Sequence, residues 1–453
     1  MNVLVIGSGG REHAICKSFS KSPKVAKLYC ANGNAGIAEI AECVPIRPDD
    51  IAALAAFAAA NSVDITFVGG ETSLALGIVD EFESRGLRII GPNREAAKLE
   101  ASKSFAKEFM ARHGVPTAKF TTSHSPTFAI LELESGDFGD ADAPVVVKAD
   151  GLAAGKGVVV AKNRAEAVTA INEMSALVGT AAAEKIVLEE CLAGSEVSLL
   201  MFARGEDYAL MPPTRDHKRI GEGDIGPNTG GMGTITDASL LTSDELQVIK
   251  ETIIEPTLHG CVREGFPFRG ILFLGLMMVE AVSGQRSALG RKPMLLEYNV
   301  RFGDPETQSI LVRLETDLVD ICEAMLGGTL ANLEIGWQPG NSACIVLASK
   351  GYPATPQTGD SIHGLDEAKA IAGVEVFHAG TLGGNASVNE RVSSSENPQS
   401  EIRNPPSNYV TAGGRVLGVT ATGDDLAAAL AAAYSAVGKI SFDGMQYRRD
   451  IGK

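Results

Sequence analysis

Val145-Val146-Val147-Lys148-Ala149-Asp150-Gly151-Leu152-Ala153-Ala154-Gly155-Lys156-Gly157-Val158-Val159-Val160 sets two valine runs on either side of a glycine-rich turn. Short β-branched runs broken by glycine read as two strands of a hairpin. Its tip is cationic. Gly151, Gly155 and Gly157 let backbone amides approach a polyphosphate, and Lys148 and Lys156 supply the countercharge. A plainer reading, a long hairpin loop that happens to be rich in glycine, fits the same residues. The GxxxxGK[ST] spacing is absent and the segment that follows reads as a strand, so a helix dipole is not the anion anchor here.

Upstream, residues 2–7 form a strand that runs into Gly7-Ser8-Gly9-Gly10-Arg11-Glu12-His13, then a helix to about Ser20 and a second strand over 25–30. This opens a doubly wound α/β domain whose first turn can hold an anion. The dinucleotide fingerprint fails, because Glu12 stands where its last glycine belongs and Asn32 follows the second strand where an acid would hold a ribose. A monophosphate on the Gly9 and Gly10 amides and Arg11 fits better than NAD, and an ordinary tight turn also fits. Strands over 64–68 and 87–90 end in Gly69-Gly70-Glu71-Thr72 and Gly91-Pro92-Asn93 and extend a parallel sheet. An alanine-rich helix over 51–60 packs on it. One amphipathic helix is expected over 95–113, carrying Ser102-Lys103-Ser104 and stopped by Gly114-Val115-Pro116. A domain boundary falls near 120, and the polar residues 121–143 read as a connection into the hairpin.

Downstream, a strand over 185–188 stops in Glu189-Glu190-Cys191-Leu192-Ala193-Gly194-Ser195-Glu196. Such an end can offer backbone groups to a purine and an acid to a ribose, or be a solvated acidic turn. The polar stretch 211–233 holds Thr214-Arg215-Asp216-His217-Lys218-Arg219 and Gly226-Pro227-Asn228-Thr229-Gly230-Gly231-Met232-Gly233, which reads as a substrate-handling lid. Strands over 271–279 and 294–298 follow, the second leading into Glu297-Tyr298-Asn299-Val300-Arg301-Phe302-Gly303-Asp304-Pro305-Glu306. Alternation puts Glu297, Asn299 and Arg301 on one face. A carboxylate and an amide oxygen two residues apart suit Mg²⁺, and Arg301 can take a carboxylate or phosphate as a bidentate partner. A solvated polar strand is the alternative, and two cationic loops nearby favour the metal. Strands over 344–350, 374–378 and 415–421 and a helix over 424–437 make the C-terminal part β-rich, with a Ser/Asn/Pro-rich insert over 387–407.

With 453 residues, 45% of them hydrophobic, the chain has room for about three domains. A net charge of −16 argues against nucleic-acid binding, no apolar run is long enough to span a membrane, and the start has no basic leader. A cytoplasmic protein is expected. Seven cysteines without a CxxC pair and seven unclustered histidines indicate neither a disulfide framework nor zinc.

The blocks at 7–13, 148–157, 216–219, 226–233 and 301–308, with His378-Ala379-Gly380-Thr381, Gly413-Gly414-Arg415-Val416 and Asp450-Ile451-Gly452, resemble phosphoribosylamine–glycine ligase, or glycinamide ribonucleotide synthetase, over nearly the whole chain. That family lies within the ATP-grasp superfamily. The resemblance implies an α/β and α+β multidomain protein with an ATP-grasp fold: a doubly wound α/β substrate-binding domain (1–120), a small hinged lid with the hairpin (121–192), a central domain with the metal strand (193–327) and a β-rich C-terminal domain (328–453). It implies ATP-driven joining of glycine to 5-phospho-β-D-ribosylamine through glycyl phosphate, the second step of de novo purine synthesis, with ATP and Mg²⁺ or Mn²⁺.

By the same resemblance, Lys103, Lys148, Gly151, Gly155, Lys156 and Gly157 hold ATP phosphates, and Glu189, Leu192 and Glu196 hold adenosine. Glu297 and Asn299 hold the metal. Arg301 takes the glycine carboxylate and Asp216 its ammonium; with Lys148 they form the catalytic set. Gly9, Gly10, Arg11, Lys218, Asn228, Gly230 and Asp304 complete the substrate site. The expected partners are small molecules only, and the expected assembly is a monomer, at most a weak homodimer. Three departures stand out: Gly70 where relatives carry proline, a long insert at 387–407, and no acid between Leu272 and Met278 to add a metal ligand. The nearest alternatives are a carboxyphosphate-forming ATP-grasp enzyme using bicarbonate or formate, and a non-catalytic nucleotide-binding regulator.

Overall fold

The computed structural model describes residues 1–151, 157–179, 183–280, 290–383 and 408–453. Strands β1 (Asn2–Gly7), β2 (Lys27–Asn32), β3 (Glu42–Val44), β4 (Ile65–Val68) and β5 (Ile89–Ile90) form a parallel sheet in the order β3-β2-β1-β4-β5. Their apolar runs are buried because helices cover both faces. The order reverses beside β1, so a crevice opens at the ends of β1 and β4, where Gly7–Gly10 and Gly69–Glu71 lie.

Strands β6 (Phe120–Ser123), β7 (Val145–Ala149), β8 (Val158–Ala161) and β9 (Ile186–Glu190) make an antiparallel sheet in the order β6-β9-β7-β8. It has its own small core, with Val145, Val147 and Leu188 packed against Leu133 and Ile171. The hairpin expected from the valine runs is therefore present as β7–β8, while the tip residues 152–156, including Gly155 and Lys156, lie outside the described residues.

The third sheet is built from β10 (Ser195–Arg204), β11 (Asp207–Leu210), β12 (Thr214–Asp216), β15 (Gly233–Thr236), β16 (Arg269–Glu280), β17 (Arg291–Asn299), β18 (Asn341–Ala348), β20 (Val374–His378) and β23 (Arg415–Gly423). Eight strands run in the order β17-β16-β10-β12-β15-β18-β23-β20, with β11 paired to β10. Strands from both sides of residue 327 thus share one hydrogen-bonded sheet. A hairpin of β13 (Arg219–Gly221) and β14 (Ile225–Asn228) projects between β12 and β15, and β19 (Ser361–Ile362), β21 (Thr381–Gly383) and β22 (Tyr409–Thr411) form a small satellite sheet.

Three local expectations change. The helix expected over 95–113 is two helices, Arg94–Ala101 and Lys103–Arg112, because Ser102 turns extended (φ −133°, ψ 112°) and its side chain accepts from Phe105 N at 3.2 Å. Serine competes with the backbone inside a helix and serves better as an N-cap. The polar connection 121–143 holds the helix Pro126–Glu134, capped by Ser125, with Ala129 and Leu133 turned into the small core. The stretch 211–233 is largely β-structure, β12 to the start of β15, rather than an open loop. The insert 387–407 lies outside the described residues.

Candidate active site

The split of the expected helix positions the base of the hairpin. With Ser102 as cap, the new helix start points at Asp150, which accepts from Ser104 N at 3.1 Å, Ser104 Oγ at 2.8 Å and Ser102 Oγ at 3.2 Å. A carboxylate at a helix N-terminus satisfies orphan amides and the dipole together. Lys103, the first helical residue, donates to Gly151 O at 3.1 Å. Gly151 needs its φ of +109°, which a side-chain-bearing residue seldom adopts, and Gly157 O closes the hairpin base by accepting from Ala149 N at 2.8 Å.

Behind the hairpin, Lys148 Nζ lies 2.7 Å from Glu189 Oε1 and Lys107 Nζ lies 2.8 Å from Glu189 Oε2, all three side chains at most 7% exposed. The Glu189 carboxylate, expected at the adenosine end of the site, is thus engaged by two buried ammonium groups. Lys148 also donates to Leu296 O at 3.4 Å, which ties the hairpin to β17. Lys107, not singled out from sequence, was legible only as a lysine on the buried stripe of its helix with Ser104 and Met110.

Burial lowers the Lys107 ammonium to about 8, with Lys148 adding to the fall and Glu189 opposing it. The folded value then lies below the ordinary 10.5, so between these two values the unfolded chain binds more protons. The Lys107 contribution to stability is expected to rise with pH from about 8 to 10.5 and to lack that slope below it. Urea midpoints of the native chain and Lys107→Met, compared at both ends of this window, check it: the native chain should gain on the variant as pH rises.

On β17, Glu297 stands opposite Gly275 of β16, where the missing side chain leaves the carboxylate uncovered. Burial pushes the Glu297 carboxyl up, yet Lys218, Lys148, Lys103 and Arg301 outweigh it and leave the group below its ordinary value. Four cations drawn from four separate stretches of chain therefore lie near enough to act on one carboxylate. Asn299 Oδ1 accepts from Arg301 Nη2 at 3.1 Å, so the two expected neighbours do meet.

Arg301 is more heavily engaged than its sequence context suggests. Its Nη2 lies 2.7 Å from Glu100 Oε1 and its Nε 3.2 Å from Glu71 Oε2, while Nη1 donates to Phe302 O at 3.2 Å. A ligand carboxylate at this fork has to displace Glu71 or Glu100. Glu71 also lies 3.4 Å from Arg11, and the two arginines hold its carboxyl down at about 2 against burial. Sequence reading had Glu71 at a strand end in the crevice but no signal for Glu100.

In the first turn, Glu12 Oε2 accepts from Gly9 N at 2.6 Å and Glu12 Oε1 takes Arg11 Nε at 2.7 Å, so a monophosphate on the Gly9 amide would meet the protein's own carboxylate beside it. A Cβ on Gly7 or Gly69 would come within 2.5 or 2.3 Å of the Glu12 side chain, so these glycines make its berth. Gly10 faces Gln308 and Asp304 across the crevice instead; a Cβ there would lie 2.5 Å from Gln308 Nε2.

Of the remaining expected residues, Asp216 lies at the end of β12. Its Oδ1 is buried without a hydrogen-bond partner. Burial first, and then Glu306, push its carboxyl well above the ordinary value, with Lys218 and Arg415 opposing. Lys218 pairs with Glu196 at 3.2 Å, both about half exposed. Asn228 sits opposite Arg219 in the β13–β14 hairpin, and Leu192 is half-buried just before β10. Asp304 accepts from Gln308 Nε2 at 2.8 Å and lies 3.2 Å from Arg415 Nη2.

Comparison with known proteins places this geometry. Residues 1–100 match the N domain of phosphoribosylglycinamide synthetase, residues 101–307 its ATP-grasp (A) domain, and residues 342–453 its C domain. A phosphoribosylamine–glycine ligase of Pseudomonas aeruginosa is 44% identical over 459 residues, covering 100% of this chain and 97% of that protein. One from Caldanaerobacter subterraneus is 41% identical over 452 residues, covering 100% and 99%. The crystal structure of the Thermotoga maritima phosphoribosylamine–glycine ligase superposes with a TM-score of 0.79 at 31% identity, covering 99% and 100%. Biotin carboxylase from Campylobacter jejuni, at a TM-score of 0.70 and 16% identity over 98% of this chain and 92% of that one, shares the fold.

Proposed function

The chain belongs to the phosphoribosylglycinamide synthetase family, and from that premise we propose that it joins glycine to 5-phospho-β-D-ribosylamine, turning ATP into ADP and phosphate. It is an ATP-dependent carbon–nitrogen ligase of purine biosynthesis. The observation that carries this reading is the meeting of the hairpin with β17, where Lys148 donates to Leu296 O next to Glu297 while Lys103 holds Gly151 O at the hairpin base. A triphosphate needs cations around its oxygens and an ionised carboxylate to share a metal, and these residues supply both.

A carboxylate does not acylate an amine until one oxygen becomes a leaving group. A glycine carboxylate oxygen bonds to the γ-phosphorus of ATP as the bond to ADP breaks. The ribosylamine nitrogen then attacks the carbonyl carbon, phosphate departs with both bonding electrons, and the nitrogen loses a proton. No protein nucleophile is needed. What the chain contributes is position and charge: Lys148, held by Glu189, and Lys103, held on the hairpin base, are the cations this reading gives to the phosphate oxygens.

Glu297 and Asn299 would hold Mg²⁺ or Mn²⁺. The donor set fits, being an ionised carboxylate and an amide oxygen, while no three His, Cys, Asp or Glu side chains form a metal site among the described residues. Hard cations with few protein ligands complete their shell with water and phosphate. Such an ion neutralises charge on the phosphates.

Asp216 takes the glycine ammonium in this reading. Its buried Oδ1 lacks a donor, and an ammonium supplies one while drawing the proton off the carboxyl. Arg301 takes the glycine carboxylate once a neighbouring acid yields. The segment 121–192 acts as the lid that shelters the acyl phosphate. We read the protein as a cytoplasmic monomer; among the described residues, no helix is long and apolar enough to cross a membrane.

ATP turnover with phosphoribosylamine is expected to require glycine strictly, with bicarbonate or formate giving no ADP above background in a coupled assay. Turnover with either acid would move the chain to the carboxyphosphate-forming class.

A further inference from the structure

The loop that closes over Asp216 is made of Thr229, Gly230 and Gly231, a sequence with little conformational preference of its own. Gly231 sits at φ +108°, and a Cβ there would lie 2.5 Å from Pro305 Cδ and 2.8 Å from Asp216 Oδ1, so this backbone is pressed directly against the carboxyl. Both polar groups of its neighbour are taken by the C-terminal part of the chain. Gly230 N donates to Tyr352 Oη at 2.9 Å, and Gly230 O accepts from Arg415 Nη1. The same guanidinium donates to Asp304 O at 2.6 Å and pairs through Nη2 with Asp304 Oδ2 at 3.2 Å. Tyr352 is held in turn by its ring, which packs where a Cβ on Gly414 would come within 2.3 Å.

We infer that Arg415 and Tyr352 are positioning residues for the amino-acid substrate: they fix Gly230 from both sides and so hold the loop 229–231 as the wall of the Asp216 pocket. The inference rests on the reading of Asp216 as the ammonium acceptor. Neither side chain reaches the carboxyl through a hydrogen bond of its own; each acts through the backbone it holds. A planar fork can serve Gly230 O, Asp304 O and Asp304 Oδ2 at once, which a lysine ammonium on a flexible stem cannot reproduce. Arg415 thereby locks the 226–233 loop to the Arg301–Glu306 segment, and the pocket's shape depends on a strand far along the chain.

Steady-state kinetics on Arg415→Ala, Arg415→Lys, Tyr352→Phe and Asp216→Asn test this. Arg415→Ala is expected to lower kcat/KM for glycine about a hundredfold, the cost of an ångström-scale misplacement, with KM for ATP within about twofold. Guanidinium ion should restore part of the loss where sodium chloride at equal ionic strength does not, and Arg415→Lys should stay impaired. Tyr352→Phe, which keeps the ring on Gly414, should raise KM for glycine in the same direction by less. The clamp is overturned if Arg415→Ala leaves glycine kinetics unchanged while Asp216→Asn impairs them. It is equally overturned if ATP and glycine kinetics decline together and guanidinium restores nothing. If instead Asp216→Asn is silent and Arg415→Ala impairs glycine use with rescue, the clamp stands and the ammonium reading of Asp216 falls.

Discussion

Glu297→Gln is expected to cut ligase turnover about a thousandfold, roughly 4 kcal/mol of transition-state stabilisation, while the melting temperature stays within a few degrees. The substitution keeps volume and hydrogen-bonding shape and removes only the charge. In the native chain that charge lies among Lys218, Lys148, Lys103 and Arg301, and their pull outweighs burial. A neutral amide leaves any metal with no carboxylate on β17 and leaves four cations to set phosphate geometry by mutual repulsion. The stability effect is small because Glu297 is only half-buried, opposite Gly275, with no apolar packing to lose on that side. A coupled ADP-release assay and a thermal melt decide the matter. Full turnover removes Glu297 from the site, and a large drop in melting temperature makes its role structural.

Glu189→Ala is expected to give the largest stability loss, about 3–5 kcal/mol, because it strands buried charge. Lys107 and Lys148 stay in place with their shared counterion gone, each at most 7% exposed and each within 2.8 Å of the carboxylate in the native chain. Adding Lys107→Met should recover much of the loss, since one of the two stranded ammonium groups disappears with it. Denaturant unfolding of the native, single and double variants measures the coupling directly. A single-variant loss below about 1 kcal/mol, the size of an exposed pair, would show that water screens this triad.

The contrast between these two acids shows what a linear reading can hold. The hairpin and β17 were legible because period-two valine runs and glycine punctuation are local signals, and the helix over 51–60 appeared at the same residues. The break at Ser102 was written in Ser102-Lys103-Ser104, but an unbroken apolar stripe on both sides argued for one helix. Charge pairing was not legible. Glu189 looks the same in sequence whether it meets a ribose or two lysines, and only the pairing of β7 with β9 brings Lys148 beside it. Glu12 was read as a departure from a dinucleotide turn. The departure has a positive meaning, since its carboxylate reaches back to accept from Gly9 N and caps the helix. Glu100 carries no local mark at all, and Arg415 stands in a resembling block without a sign of what it holds, because their partners lie on distant segments.

One sheet joins β17, which carries the acid–amide pair, through β10, β12 and β15 to β18, β23 and β20. Neighbouring strands are hydrogen-bonded throughout, with the thinnest joint at β10–β12, where Ser198 and Thr214 form the one pair. Asp216, Glu297 and Arg415 therefore ride a single girder, each on a strand of the same sheet. The small sheet β6-β9-β7-β8 owns a separate core and shares no strand with that girder, which leaves it the element freest to move by itself.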